Sequence, residues 1–255
     1  MKCLIKYIVL LPTIGFLLAC TQQFRSDTRN RILLTGNWGV QLDTAATGIT
    51  SSWLPRYCTD SLFLPGTTDY ERKGIYNTDT VQTTALSKEY VFEGKALYTK
   101  TVCIPEEWRG TCIRLIMERT KPTTVWIDGK EVGTNSDIST AQQYELSSYL
   151  SPGSHDIAII VDNGKQAVPE KVYGSSHAYS SSAQTNWNGI IGDFYLESIP
   201  LCGIADIQLF PDVVEKLVTA KVTLRNPDKN IGKGSLSFYA EAWNTAKSIK
   251  RLCKR

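Results

Sequence analysis

The sequence predicts an all-β fold of the sandwich type, and three observations lead to this prediction. Short apolar runs alternate with turn signals about every 8 to 12 residues, a spacing typical of β-sandwiches. No stretch keeps an apolar repeat of helical period over three turns. The 255 residues include 12 Tyr and 6 Trp, large side chains that suit a sheet-on-sheet core.

The predicted strands follow one another as hairpins. Residues 97–104 form a strand, 105–110 a loop and 112–117 the returning strand. Asp128-Gly129 tolerates positive φ and predicts a tight hairpin turn. Residues 155–161 (HDIAIIV) are apolar on both faces, so we expect this strand in the middle of the sandwich.

A second domain is predicted to begin after Pro211. Residues 218–225 alternate strictly between apolar and polar side chains, and residues 236–243 repeat the alternation. Such strands suit the opening of an immunoglobulin-like sandwich, which needs about seven strands and roughly 100 residues. Only 44 residues follow Pro211, so we expect this second domain to be incomplete.

The N-terminus has the features of an export signal. Lys2 and Lys6 precede a short apolar run, which ends in Leu17-Leu18-Ala19-Cys20. That ending resembles the lipobox of bacterial lipoproteins, although an ordinary secretory signal is the alternative. The resemblance implies removal of residues 1–19, lipidation of Cys20 and a linker over 20–30. It places the protein in the bacterial cell envelope, at the periplasm or outer membrane, and attached to the membrane through Cys20.

Charge and composition exclude several classes of function. The net charge of +3 falls to +1 without Lys2 and Lys6, so nucleic acid is not an expected partner. The cysteines have no CxxC spacing, and no metal-binding or nucleotide-binding motif occurs, so we predict neither metal nor cofactor. Cys103 and Cys112 flank a loop and either pair or act as small buried apolar residues.

Three ordered segments carry a family resemblance. They are LLTGNWGVQL (33–42) with LPGTTDYERKG (64–74), ALYTKTVCIPEEWRG (96–110) with VWIDGKEV (125–132), and NWNGIIGDFYL (186–196) with 204–210. Together they resemble the N-terminal part of glycoside hydrolase family 2, over about residues 31–250. The resemblance implies a galactose-binding-like jelly-roll sandwich at 31–211 and the start of an immunoglobulin-like domain at 212–255.

The resemblance also implies that catalysis belongs to a part absent from these 255 residues. Family members use two glutamates in a downstream (β/α)8 barrel, which needs about 200 residues or more. We therefore predict no catalytic residue here and take a missing barrel as the natural intramolecular partner. Glu106 and Glu107 are adjacent in a loop and are predicted to be solvated turn residues.

The predicted substrate contacts are Asn186, Trp187 and Asn188, because the jelly roll of the family lends loop residues from this region to the sugar pocket. Amides bond to sugar hydroxyls, and an indole face packs on a pyranose. Alternatively, Trp187 is a packing residue and the two asparagines cap a turn before Gly189. Many family members carry a basic residue where this chain has Gly192.

Three hypotheses on function follow. The first is an N-terminal, non-catalytic fragment of an exported β-galactosidase-like glycosidase, which contributes binding of a β-glycoside or oligosaccharide. The alternative is a stand-alone carbohydrate-binding envelope lipoprotein. A third, weaker hypothesis is a purely structural lipoprotein.

Overall fold

The structure, a computed structural model, describes residues 30–45, 58, 60–79, 81, 86–179, 185–226, 236–238 and 252–254. The predicted signal peptide and its lipidation site Cys20 lie outside these residues. The chain divides into two compact units, Met1–Ile199 and Pro200–Arg255. No helix among the described residues is both long and apolar enough to cross a membrane.

Strands dominate the described residues. In chain order they are β1 (Asn30–Leu33), β2 (Gly36–Leu42), β3 (Asp60–Leu64), β4 (Gly66–Thr67), β5 (Ile75–Tyr76), β6 (Tyr90–Val91), β7 (Lys95–Ile104), β8 (Cys112–Thr120), β9 (Thr123–Ile127), β10 (Lys130–Asn135), β11 (Gln142–Glu145), β12 (Gly153–Asp162), β13 (Gly189–Ile199), β14 (Gly203–Asp212), β15 (Leu217–Arg225), β16 (Leu236–Phe238) and β17 (Leu252–Lys254). The helical elements are α1 (Glu170–Ser175) and two 3-10 turns, Glu106–Trp108 and Lys165–Ala167.

The first unit is a sandwich of two antiparallel sheets. One sheet has the order β1-β13-β8-β11, with β4 also paired to β13. The other has the order β10-β9-β12-β7-β2-β3, and β5 pairs with β6 apart from both. Most strand neighbours are distant in sequence, as in a jelly roll, and the all-β prediction is confirmed.

Strand β12 lies between β7 and β9, in the middle of its sheet. Its residues Ile157, Ile159 and Val161 enter the main core between the sheets. Ala158 and Ile160 point to the opposite face and are also buried, in a smaller cluster with Leu97. The prediction that this strand is apolar on both faces and central is therefore confirmed.

Trp38 connects the two sheets. It is 1% exposed in β2, and its indole Nε1 donates a hydrogen bond of 2.8 Å to the carbonyl oxygen of Leu34. Its ring lies 5.2 Å from that of Phe194, which belongs to β13 in the opposite sheet. Burial, ring contact and hydrogen bond together make this side chain a central part of the core.

Two turns contain residues with positive φ. Asp128 and Gly129 have φ of 49° and 76°, so the β9–β10 hairpin is the predicted tight turn. Gly192 has φ of 77°, and a Cβ built there would lie 2.2 Å from Glu118 Oε2. That carboxylate accepts the backbone N–H of Asp193 at 2.7 Å. Residue 192 thus has a backbone conformation that favours glycine, and a larger side chain there would displace the Glu118 carboxylate.

The second unit contains the antiparallel pairs β14–β15 and β16–β17. The alternating segment 218–225 forms most of β15, as predicted. The domain bounds, with 204–210 at the end of the jelly roll and the boundary near Pro211, stay a prediction. Strand β14 pairs with β15 along its length, and the compact units divide at Ile199.

Cys103 and Cys112 form no disulfide with each other, and Cys103 is exposed whereas Cys112 is buried. Of the two alternatives for this pair, a small buried side chain describes Cys112 only. Cys103 lies at a surface position of β7.

We expect Trp38→Ala to lower the free energy of unfolding by about 3–5 kcal/mol, because it leaves a cavity between the sheets. Urea denaturation followed by circular dichroism measures this loss. The matched control is Phe63→Ala on the neighbouring strand β3, where the side chain is 50% exposed. Its loss should stay below about 1 kcal/mol. Equal losses for the two variants would contradict the role assigned to Trp38.

Candidate functional site

The three predicted contact residues lie directly before β13, at the edge of the sandwich. The next residue, Gly189, fixes where this segment enters the sheet. It has φ of 143°, pairs with Thr67 of β4, and a Cβ there would lie 2.2 Å from the carbonyl oxygen of Gly66. The backbones of β4 and β13 therefore approach closely only because residue 189 is a glycine.

Asn188 is completely buried. Its Nδ2 lies within hydrogen-bond distance of the carbonyl oxygens of Gly94 (3.1 Å) and Val161 (3.0 Å) and of Asn163 Oδ1 (3.1 Å). Its Oδ1 accepts a 2.7 Å hydrogen bond from the hydroxyl of Tyr98. Every polar atom of this amide is used inside the protein, so its place in the site is to hold the segment in position.

Tyr98 extends this buried network towards the loop after β4. It is fully buried in β7, and burial together with the charge of Asp69 raises the pKa of its hydroxyl. The hydroxyl therefore stays protonated and remains a donor to Asn188 across the ordinary pH range.

Asn186 is 8% exposed and uses only part of its hydrogen-bonding capacity. Its Nδ2 donates to the carbonyl oxygen of Asn163 at 2.8 Å and lies 3.4 Å from Glu93 Oε1. Its Oδ1 is buried and has no hydrogen-bond partner in the structure. A buried amide oxygen without a donor is costly, so this atom is suited to accept a hydrogen bond from a ligand or water.

Trp187 is half-buried and lies against Lys121. The ammonium Nζ of Lys121 is 4.8 Å from the centre of the Trp187 ring and 4.3 Å from that of Tyr179. It also donates a hydrogen bond to the carbonyl oxygen of Ala178. The two rings therefore stabilise a lysine that is only 1% exposed.

A second lysine, Lys88, joins the segment to two carboxylates. Its Nζ donates to the carbonyl oxygen of Asn186 at 2.8 Å and lies 3.3 Å from Asp69 Oδ2. Burial lowers its pKa, while the charges of Asp69 and Glu93 act in the opposite direction. Asp69 Oδ1, like the amide oxygen of Asn186, is buried without a hydrogen-bond partner.

We call these residues the polar cluster: Asp69, Lys88, Glu93, Lys121, Asn163, Tyr179, Asn186, Trp187 and Asn188. The sequence prediction found only the last three. The others are missed because the contacts that join them span large sequence separations, such as 98 residues from Lys88 to Asn186. No local motif signals such contacts.

The chemistry of the polar cluster suits binding through hydroxyl groups. It offers amide and carboxylate acceptors, ammonium donors and an indole ring, which is the set of groups that recognises a polyol. Within the described ranges, no group of three or more His, Cys, Asp or Glu could hold a metal ion. Glu106 and Glu107 are exposed in a 3-10 turn, and Glu106 pairs with Arg109, which confirms that they are turn residues.

A Ser–His–Asp arrangement also occurs at the far end of β12, and it is structural. His155 Nδ1 lies 2.6 Å from Asp128 Oδ2, and Nε2 lies 2.8 Å from the carbonyl oxygen of Ser151. The Ser151 hydroxyl is more distant, at 3.4 Å. Nε2 is engaged by the backbone of Ser151, whose N–H also donates to it at 3.3 Å, so these residues close the turn before β12.

Replacing Asn188 by alanine should lower the free energy of unfolding by roughly 2–4 kcal/mol, because buried partners lose their hydrogen bonds. Chemical denaturation measures the change. The control is Asn30→Ala at an exposed position of β1, with an expected effect within about 0.5 kcal/mol. A loss below 1 kcal/mol for Asn188→Ala, on the order of a surface change, would refute the assigned role.

The pH dependence of stability should report on Lys121. Burial, followed by the charge of Lys88, lowers its pKa to about 8 from 10.5. Between those values the unfolded chain binds more protons than the folded one, so stability rises with pH in this window. The rise should reach up to about 1 kcal/mol per pH unit, with solvent screening included.

The measurement compares the wild type with Lys121→Met at pH 7 and pH 9.5 by urea denaturation. The free energy of unfolding of the wild type should increase relative to that of the variant as the pH increases. The difference isolates Lys121 from the tyrosines, because both proteins share them. A constant difference between the two pH values would show that Lys121 titrates normally.

The sequence of the chain was compared with family models and with known proteins. Residues 32–193 match the family model described as "Glycosyl hydrolases family 2, sugar binding domain". The chain is similar to a β-galactosidase of Oenococcus oeni (20% identity over 200 residues, covering 75% of this chain and 18% of that protein). It is also similar to a β-galactosidase of Priestia megaterium (29% identity over 150 residues, covering 58% and 12%).

Solved structures show that the fold is shared. A β-glucuronidase from Ruminococcus gnavus in complex with uronic deoxynojirimycin aligns with a TM-score of 0.61 and 17% identity, over 90% of this chain and 39% of that one. A β-glucuronidase of Faecalibacterium prausnitzii aligns with a TM-score of 0.56 and 17% identity, over 80% of this chain and 37% of that one. The chain thus spans less than a fifth of the two curated relatives and under two fifths of these structures. Because the family model covers well over half of its residues, the chain belongs to glycoside hydrolase family 2, through the N-terminal sugar-binding domain.

Proposed function

We propose that this chain is the N-terminal, non-catalytic part of an exported, β-galactosidase-like glycosidase, and that it contributes carbohydrate contacts to hydrolysis by a downstream barrel. The observation that carries the proposal is the match of residues 32–193 to a sugar-binding domain. The chain covers only 18% and 12% of the two β-galactosidases, which supports a longer protein of which this is one part.

The polar cluster supplies the sugar contact in this proposal. Asn186 Oδ1 accepts a hydroxyl of the substrate, since it is a buried acceptor with no partner in the protein. Trp187 packs its free ring face on the apolar face of a pyranose, with Lys121 on the other face. The buried Asn188 does not contact the sugar and acts as a positioning residue, through its hydrogen bonds to Tyr98 and Val161.

The proposal also places the protein in the bacterial cell envelope. The Lys2 and Lys6 charges, the apolar run and Leu17-Leu18-Ala19-Cys20 support export and attachment through a lipid on Cys20. Metabolic labelling with a lipid precursor, compared between wild type and Cys20→Ser, tests the anchor. Equal labelling of both would refute it.

The decisive test is the mass of the native polypeptide in its own cells, detected with an antibody against the sandwich. We expect a band several-fold heavier than 28.4 kDa that hydrolyses a chromogenic β-glycoside. Trp187→Ala in that polypeptide should raise KM about ten-fold, since a stacking contact of this kind contributes about 1 kcal/mol or more.

Trp187→Phe is the matched control, because it keeps an apolar ring, and its KM should stay close to that of the wild type. A native band slightly below 28.4 kDa, the mass of the 255 residues before removal of a signal peptide, would contradict the fragment proposal and favour a stand-alone carbohydrate-binding lipoprotein. Hydrolysis by the 255-residue chain itself would contradict the non-catalytic role.

A further inference from the structure

A cavity of about 410 Å³ opens on the outer face of the β10-β9-β12-β7 part of the second sheet. This volume lies within the range of small-molecule sites, about 300–1,000 Å³. The side chains that matter here are Thr124, Trp126, Glu131, Thr134, Asp162 and Lys95. The opposite face of the same strands carries the core residues Val125, Ile127, Ile159 and Val161.

The floor of the cavity is aromatic and rigid. Trp126 is half-buried and packs on the smaller apolar cluster of Leu97, Ala158 and Ile160. All three of those residues are buried, although they point away from the main core. An indole held in this way loses little further freedom when a ligand packs on it.

A β-bulge assembles the polar wall beside this floor. Glu131 pairs with Trp126, and Thr134 pairs with Thr124. Between these two pairs the β10 strand has one residue more than the β9 strand. Without the extra residue near Val132, Glu131 and Thr134 would point to opposite faces of the sheet. The bulge turns both towards the cavity, as bulges beside binding sites commonly do.

The charge of the wall favours a neutral ligand with many hydroxyl groups. Glu131 and Lys95 are exposed and of opposite sign, and Asp162 already accepts the backbone N–H of Gly164 at 2.8 Å. With the two carboxylates of Glu131 and Asp162 and the one ammonium of Lys95, the wall has no excess of positive charge, which a phosphate or uronate site would require. Hydroxyl, carboxylate and ammonium groups around an indole match the mixed donors, acceptors and apolar ring face of a sugar.

We propose that this cavity is a second carbohydrate-binding groove, separate from the polar cluster. A neutral pyranoside lies with its ring face on Trp126 and with its hydroxyls bonded to Glu131, Thr124 and Asp162. The groove depends on neither Asn186 nor Trp187, so this proposal and the proposed function can fail independently.

The test follows the indole N–H resonance of Trp126 in the isotope-labelled, full 255-residue chain by two-dimensional NMR. Trp126→Phe identifies that resonance, since it is the one that disappears. Methyl β-galactoside is the probe, with methyl β-glucuronide as the charged comparison. We expect a saturable shift with the galactoside in the millimolar range, and weaker binding of the glucuronide.

Glu131→Ala, at an exposed position where folding is not at risk, should raise the Kd about ten-fold because it removes a charged acceptor. Trp187→Ala should leave the Kd unchanged. A Trp126 resonance that does not move through the millimolar range would overturn the proposal. So would a shift that Trp187→Ala abolishes, or an unchanged Kd in Glu131→Ala.

Discussion

The buried amide of Asn188 is the interaction on which the edge of the sandwich depends. It connects the start of β13 with Tyr98 of β7, Val161 of β12 and the carbonyl of Gly94, and so joins the two sheets. Each buried partner left without a hydrogen bond costs about 1–3 kcal/mol, so these strands cannot shift separately. Asn186 and Trp187 directly precede Asn188 and take their positions from it.

Two ammonium groups, one buried and one half-buried, add a further constraint at the same edge. Lys88 is compensated by Asp69, whereas Lys121 is compensated by the rings of Tyr179 and Trp187 and by one carbonyl oxygen. Desolvation disfavours both charges, and the lowered pKa values follow from it. The Trp187 ring therefore has a structural role, and the proposed function assigns it a sugar contact as well.

Local patterns predicted the parts of the fold that depend on neighbouring residues. The apolar run of 155–161 predicted β12, and Asp128-Gly129 predicted a hairpin turn. Both predictions were possible because strand periodicity and turn conformation depend on consecutive residues. The burial of Lys121 could not be predicted in this way, since a lone lysine indicates a solvated surface. Its partners Tyr179 and Trp187 lie more than fifty residues away, and only the folded topology joins them.

The boundary of the sandwich illustrates the same limit. Residues 204–210 form most of β14, but a run of strand residues specifies no partner. The partner is β15, which follows after a short turn, so a local hairpin was available to this segment. Hairpin closure over a few residues costs less chain entropy than return to a distant sheet edge.

The end of β12 and the residue after it make contacts at both surfaces. The Val161 carbonyl and the Asn163 side chain accept hydrogen bonds from Asn188, while Asp162 lines the outer groove. The two surfaces therefore share one segment of backbone. Under the two proposals, a saccharide held at either surface stays near the other at high effective concentration. Two weak contacts would then retain a long glycan without a tight site.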